Sequence, residues 1–441
     1  MTLEKSNLRV MLSGVIFGFD CLMNKQIVKG LCYFLSEAVL VFFMFNQGFY
    51  NLSRLLTLGT QEQGKIWNDE LGVYQYVDGD RSLIILLYGI VTVALFILFV
   101  FIAKSSVESA IEIERFRSNG LHINSDTEEV HDLLDKRLEK SLLTLPVTGV
   151  LVFTVLPLVF MMAMAFTNYS VENQKLVLFD WVGLDNFRKV FSLKGSLGST
   201  FWSVLLWTLF WALATTFINY FLGMGLAMLL NWKEIRFKKF WRFCFVLTIA
   251  VPHFVTLLLI RQMLQPEGAV NVLLRNLGWI GAKESLPFFT NVTWSRITVI
   301  VINAWVGIPY VLLQITGVLQ NIPPELYEAA KIDGAGPVRT FFKITLPYML
   351  FVTTPYLIVT FTGNVNNFNV IFLTSRGYPR AVESTAGKTD LLITWLYKLT
   401  IDNQYYNIGA VIGIMTFVTL SIVSLLTFHS STSYKNENAL K

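Results

Sequence analysis

Two short runs inside apolar sequence hold the side chains best placed to do chemistry. One is Asn303-Ala-Trp305-Val-Gly307-Ile-Pro309-Tyr310 and the other Asn364-Val-Asn366-Asn367-Phe368-Asn369. Asn303, Gly307 and Tyr310 stand four and three residues apart, so a helix places them on one face, and Asn364 and Asn367 share a face in the same way. An amide left unpaired in hydrocarbon is costly, so these groups must meet protein, water or a ligand. Each asparagine offers donors and an acceptor together, which suits the adjacent hydroxyls of a sugar. Trp305 and Tyr310 add flat apolar faces with a polar tip. The residues alone leave a second reading open, in which the amides join helices to one another. His253, directly after Pro252, is a further polar group in apolar sequence. It reads either as a hydrogen-bonded core histidine or as the wall of a pocket.

No catalytic or metal-binding constellation accompanies these runs. The carboxylates cluster in polar loops, whereas a proton-coupled carrier keeps Asp, Glu or His within its helices. A secondary carrier is therefore disfavoured, and the asparagine clusters speak against a scaffold that transports nothing. The four histidines are scattered, and Cys21, Cys32 and Cys244 show no paired spacing; the cysteines read as small hydrophobes. Gly387-Lys388-Thr389 resembles the end of a phosphate-binding loop, but that motif needs a glycine where Val382 stands. The chain is expected to hydrolyse no ATP and to bind no cofactor of its own.

The elements that carry these residues follow from composition. Of 441 residues, 54% are hydrophobic and 15% charged, against about 25% charged in a soluble globular chain. Runs of about 20 apolar residues cross a bilayer. Such runs lie at 31–50, 82–103, 142–166, 201–230, 243–264, 297–319, 348–373 and 406–428. The expected fold is an all-α polytopic membrane protein with eight transmembrane helices. Residues 1–30 form an amphipathic N-terminal segment without a cleavable signal, in which 10–22 reads as interfacial or re-entrant. Residues 31–103 carry two accessory spans, 104–141 a charged linker, 142–428 a six-helix core and 429–441 a polar tail. The net charge of +5 does not suggest nucleic acid. Its distribution is more informative. Loop 231–242 holds Lys233, Arg236, Lys238, Lys239 and Arg242 against Glu234, whereas loop 51–81 holds Arg54, Lys65 and Arg81 against five acidic residues. Basic loops stay inside, so the first loop and both termini are expected in the cytoplasm and the second loop outside. Counting spans then places loop 320–347 in the cytoplasm.

That last loop is a polar island, with Pro323 and Pro324 able to open one helix and Pro337 another. Leu326, Tyr327, Ala330 and Lys331 give the first helix an amphipathic spacing, and Gly334 suits its end. Glu328-Ala329-Ala330, three residues, Gly334, nine residues, then Ile344-x-Leu346-Pro347 resembles the coupling loop of ABC-importer permeases, here 322–347. An amphipathic helix on the membrane surface would carry a more basic face and no such fixed spacing.

From about 142 to 428 the chain resembles the larger permease subunit of maltose/maltodextrin ABC importers. FTNY, WVGLDNF, the Asn303–Tyr310 run, LYEAAKIDGAGP, FFKITLP and TDLLITWLYKLT carry the likeness. The resemblance implies a type I importer core with two extra N-terminal helices, in a bacterial cell membrane. The complex would include a second permease as heterodimer partner, an ATPase dimer that holds ATP and Mg, an extracellular sugar-binding protein and surrounding lipid. By position, the implied sugar pocket is Asn303, Trp305, Gly307, Tyr310, Asn364 and Asn367, with His253 at its wall. The implied ATPase-coupling residues are Glu328, Ala329, Ala330, Asp333 and Gly334. Three pocket positions depart from the family: Ile249 and His253 replace a tyrosine and a serine, and Gly363 replaces a phenylalanine. These departures keep a galacto-oligosaccharide open as the alternative substrate. The large external domain of the family example is also missing, since loop 167–200 is too short to fold alone.

Overall fold

Proline and glycine decide where helices begin, bend and stop in the computed structural model, which describes residues 2–430 apart from 70, 71, 172, 194, 233 and 383. Lys233 and nearly all of the expected tail 429–441 lie outside the described residues. The chain divides into two compact units, Met1–Asn186 and Phe187–Lys441.

The first unit contains α1 (Thr2–Val15), α2 (Phe19–Met23), α3 (Ile27–Phe43), a π-turn (Met44–Gly48) and α4 (Phe49–Thr57). There follow the strands β1 (Gly64–Asn68) and β2 (Val73–Val77), then α5 (Ser82–Ser118), α6 (Asp126–Leu134), α7 (Leu138–Val150), a second π-turn (Leu151–Val155) and α8 (Leu156–Met164). The antiparallel β-hairpin, paired from Gly64 with Val77 to Asn68 with Val73, is an addition to the expected all-α fold.

Residues 10–22 are a helix–turn–helix tied to other helices, a more anchored arrangement than the expected interfacial or re-entrant piece. Gly18 makes the turn at φ +76°, where a side chain would meet the Gly30 carbonyl. Its N–H donates to Ser106 Oγ of α5 at 2.8 Å, and the Phe17 N–H donates to Glu37 of α3 at 2.7 Å. The charged segment 104–141 is not a separate linker. Lacking a helix breaker, residues 104–118 simply continue α5. Farther on, a capping box starts α6: the Ser125 N–H donates to Glu128 at 2.7 Å. That bond first, then His122 and the Ser125 hydroxyl, lower the Glu128 carboxyl to about 2. Asp126 in turn accepts from the N–H groups of Ile27 and Val28 at 2.8 and 3.1 Å, which satisfies orphan donors at the start of α3.

FTNY and WVGLDNF are two halves of one clasp. The Val182 N–H donates to the Phe166 carbonyl at 2.8 Å. Buried Asn186 donates to the carbonyls of Ala165 and Thr167 at 2.8 and 2.6 Å, and Trp181 Nε1 donates to the Leu55 carbonyl at 2.9 Å.

The short α9 (Asp185–Phe191) contains the division between units. The second unit holds α10 (Ser196–Asn231), α11 (Lys238–Ala250), α12 (His253–Met263), α13 (Ala269–Asn276), α14 (Val292–Gln320), α15 (Pro324–Ile332) and α16 (Pro337–Thr340). A π-turn (Phe341–Thr345), α17 (Leu346–Val365), α18 (Phe368–Leu373), α19 (Leu392–Tyr397), a π-turn (Lys398–Asp402) and α20 (Tyr406–Ser430) complete it.

Among the described residues, seven helices are long and apolar enough to cross a membrane, and α11 with α12 forms an eighth candidate bent by 91°. The bend corrects the straight span expected over 243–264. Pro252 removes a helix donor and pushes Val251 into extended backbone, at φ −78° and ψ 129°. Lys238, Lys239 and Arg242, expected in a loop, belong to α11.

Pro157 and Pro347 each follow a π-turn by two residues. A proline ring collides with the carbonyl four residues back, and the wider π-turn carries that carbonyl aside. Helix therefore runs unbroken from Pro337 to Val365, so the helix that Pro337 opens is not confined to the polar island.

Among the described residues, two apolar cores line the second unit. One holds Trp207, Trp211, Val299, Ile302 and Val365; the other holds Tyr220, Met224, Val311, Ile315 and Met349. On α10 and α14 a polar interval separates them, and this interval contains the first asparagine run.

Candidate functional site

The polar interval is a set of amides bonded from helix to helix. Asn367 Nδ2 donates to Asn303 Oδ1 at 3.0 Å, joining the start of α18 to α14. Asn364 Nδ2 donates to Thr216 Oγ1 at 2.9 Å, joining α17 to α10. Trp211 Nε1 donates to the Asn364 carbonyl at 3.0 Å. Asn367 also caps α18, its Oδ1 accepting from the Val370 N–H at 3.3 Å. That cap explains the break between α17 and α18: the Asn366–Asn367 pair ends one helix and starts the next.

Gly307 lets α14 meet α10, because a Cβ there would collide with the Asn219 amide. Among the described residues, two buried atoms in this interval, Asn303 Nδ2 and Asn219 Oδ1, have no hydrogen-bond partner. One is a donor and one an acceptor, so the interval retains capacity to bind a group that offers both, such as a hydroxyl.

The structure thus brings Asn303, Gly307, Asn364 and Asn367 together. The expected single pocket does not gather the rest. Trp305 is 67% exposed while Asn303 is 6% exposed, because two helical residues put them roughly 200° apart. Tyr310 lies on the Asn303 side by spacing but is 49% exposed. His253 is half-buried at the first position of α12, at the bend. Beyond its own helix backbone and chain neighbours, Gly363 has no atom of the described residues within 4 Å of where a Cβ would stand. Thr216, Asn219 and Trp211 were not picked out from the sequence. Their signal was present in Thr215, Thr216 and Asn219, set three and four apart within a long apolar helix.

The Gly387-Lys388-Thr389 segment has no free cradle for phosphate. Gly387 N–H donates to Asp390 Oδ2 at 2.6 Å, and the N–H groups of Lys388 and Thr389 donate to the carbonyls of Pro379 and Gly377. Asp390, buried, is paired with Lys398 at 2.6 Å and accepts from Thr394 Oγ1 at 2.9 Å. The turn is therefore a structural corner that leads into α19.

The polar island has an inner and an outer face. Tyr327 and Ala330 face inward, with Tyr327 Oη and Thr345 Oγ1 hydrogen-bonded at 3.1 Å. Glu328, Ala329 and Asp333 are exposed, and Ile332 is 86% exposed. Ala330, expected against a partner, is thus buried in its own chain, since it stands 100° round the helix from Ala329. Gly334 ends α15 at φ +71°. Its N–H donates to the Lys331 carbonyl, and the Ala335 N–H donates to the Ala330 carbonyl at 2.9 Å. This bond pair is the Schellman closure that favours glycine.

Residues 219–433 match the family model described as binding-protein-dependent transport system inner membrane component. The galactooligosaccharides transport system permease protein of Bacillus subtilis (strain 168) is 34% identical over 433 residues, 97% of this chain and 98% of that protein. The maltodextrin transport system permease protein of the same organism is 32% identical over 450 residues, 100% of this chain and 99% of that one. The maltose/maltodextrin transport system permease protein of Escherichia coli (strain K12) is 34% identical over 255 residues, but only 56% of this chain and 49% of that protein align. The fold matches a chain of a bacterial ABC transporter involved in the import of the polysaccharide alginate, with TM-score 0.56 and 23% identity over 68% of this chain and 97% of that chain. With the apolar helices and the polar island in place, these likenesses decide the family: the chain is a membrane-spanning permease subunit of the maltose type, and it belongs to the inner membrane components of binding-protein-dependent transport systems.

Proposed function

We propose that the chain forms the oligosaccharide path of an ATP-driven importer and carries no ATP chemistry itself. The observation that supports this reading is the amide interval of Asn303, Asn364, Asn367, Thr216 and Asn219, set between two apolar cores. Each interhelical hydrogen bond there uses a group that a sugar hydroxyl could use equally well. Sugar binding and helix–helix bonding thus compete for the same amides, and the unpaired donor and acceptor at Asn303 and Asn219 bias the exchange toward a hydroxylated ligand. Trp305 and Tyr310, both exposed, and His253, at the bend, stand apart from these amides in the present conformation and would join the path only when the helices move.

The exposed face of α15, with Glu328, Ala329, Ile332 and Asp333, is the docking surface for a cytoplasmic ATPase dimer that holds ATP and Mg. The bond between Tyr327 and Thr345 ties α15 to the start of the following span, and Tyr348 donates to the Asn321 carbonyl at the end of α14, so a push on the loop becomes a push on the helix that carries Asn364. A second permease and an extracellular binding protein complete the machine, with both termini of this chain cytoplasmic.

The substrate is an oligosaccharide, with maltodextrin and galacto-oligosaccharide as the competing choices. The B. subtilis relatives differ by two points of identity, 34% against 32%, which does not separate them. A screen of malto- and galacto-oligosaccharides on the cognate binding protein, followed by uptake in cells that lack the ATPase, tests the proposal. Binding of one series and loss of uptake without the ATPase are expected. Undiminished uptake without the ATPase would instead indicate a secondary carrier.

A further inference from the structure

The two N-terminal spans carry a second site, unrelated to the amide interval. Where α4 ends and α5 begins there is a cavity of ≈ 510 Å³, with Tyr50, Arg54, Asp80, Arg81, Ile84 and Tyr88 in its lining. We propose that it binds the phosphate of an anionic phospholipid headgroup, in the leaflet on the β-hairpin side.

Charge is the first argument. Asp80 pairs with Arg54 and accepts from the N–H groups of Thr60 and Gln61 at 2.9 and 3.1 Å. Arg54 also donates to Tyr50 Oη at 2.9 Å. Those two charges are therefore committed to each other. Arg81 is exposed and has no ion pair among the described residues, so the lining has one uncompensated cation. Arg81 is also the N-cap residue of the 37-residue α5, and the positive end of a helix dipole favours an anion there.

Depth is the second argument. Arg54 lies in the last turn of one apolar span and Arg81 immediately precedes the next, which puts both guanidiniums at the edge of the hydrocarbon. Tyr50 and Tyr88 are exposed beside them, as interfacial tyrosines are. Exposed Ile84 and Leu87 continue one turn farther along α5, where an acyl chain descending from the headgroup would run.

Other ligands fit less well. A free phosphate gains nothing from the apolar wall. A neutral sugar gains nothing from the net positive charge, and the ring of Tyr50 is already covered by Arg54, 5.3 Å from its centroid.

The test uses the whole importer in nanodiscs of equal parts phosphatidylglycerol and phosphatidylcholine, with retained lipid counted by native mass spectrometry. The wild type should retain phosphatidylglycerol in preference, and Arg81→Gln should lower that retention at least about tenfold, as loss of a hydrogen bond to a charged group does. Arg81→Lys, which keeps the charge, should restore much of it, and Lys283→Gln, exposed in the other unit, should change nothing. Equal retention in wild type and Arg81→Gln overturns the proposal. Displacement by inorganic phosphate would reassign the cavity to soluble anions, and displacement by a maltodextrin would make it a sugar capture site; either result overturns the lipid assignment.

Discussion

Asn364 and Asn367 each spend a donor on a neighbouring helix, so the effect of a substitution depends on which partner is removed. Thr216→Val keeps the shape of the side chain but takes away the acceptor for Asn364 Nδ2. The freed amide then has only a ligand to satisfy it. A hydrogen bond of this kind is worth about 0.5–1.5 kcal/mol, so the KM for sugar uptake should fall by a factor of roughly two to ten. Asn367→Ala should raise KM by a similar factor. If Thr216→Val instead raises KM, or leaves it unchanged while lowering thermal stability, the amides serve only to join helices. Gly363→Phe addresses the departure from the family at that position. The open space beside Gly363 can take a ring, so expression should persist while the uptake ratio of malto- to galacto-oligosaccharide shifts; an unchanged ratio would place Gly363 away from the path. The sequence made the asparagines legible because amides are rare in apolar runs. It hid Thr216, because a threonine within a helix usually bonds its own carbonyl four residues back, as Thr208 and Thr215 do here. Trp305 was misleading for the opposite reason: its ring suits a sugar, but its position on the helix turns it away from Asn303.

Helices were legible wherever a long apolar run met a breaker, and their ends shifted where none was present. α5 runs on to Ser118 because its charged half is as good a helix former as its apolar half. The bend at Pro252 and the π-turn before Pro347 were not readable, since the same residue type breaks one helix and is absorbed by the other. What separates them is whether the preceding turn widens to five-residue bonds. At the polar island Gly334 was legible as the residue that ends α15, and the structure adds the direction of each face. Glu328 is exposed with no ion pair among the described residues, so Glu328→Lys should leave folding intact. It should weaken docking of an ATPase that presents a basic surface. Gly334→Asp places a side chain at φ +71°, which strains the Schellman closure and loosens the loop. Both variants should reach the membrane in normal amounts, with uptake reduced and sugar binding by the external protein unchanged. Wild-type uptake in both would refute the coupling role of α15.

At the scale of the molecule the sidedness of every later loop turns on whether the bent pair α11–α12 crosses the bilayer. Its arms of 13 and 11 residues are roughly 20 and 17 Å long, so at a right angle their far ends lie roughly 26 Å apart. A hydrocarbon core is about 30 Å thick, so with its far ends aligned along the bilayer normal the pair falls only about 4 Å short of the full core, and the same bend suits a turn back. Charge fixes the side on which the pair starts. Arg236 precedes the pair, and Lys238, Lys239 and Arg242 open α11, a basic cluster that the positive-inside rule keeps in the cytoplasm. If the pair crosses, residues 264–291 are external and the polar island returns to the cytoplasm, where an ATPase can reach Glu328. If the pair turns back, 264–291 are cytoplasmic and the polar island is stranded outside. Single cysteines at Arg236, Lys283 and Gly336, all exposed positions, separate the two arrangements when intact cells are treated with a membrane-impermeant maleimide. The native cysteines are first replaced, because Cys32 is exposed as well. Labelling of Lys283→Cys alone is the expected outcome. Labelling of Gly336→Cys with Lys283→Cys protected would mean that the pair is re-entrant and that α15 cannot be the coupling helix.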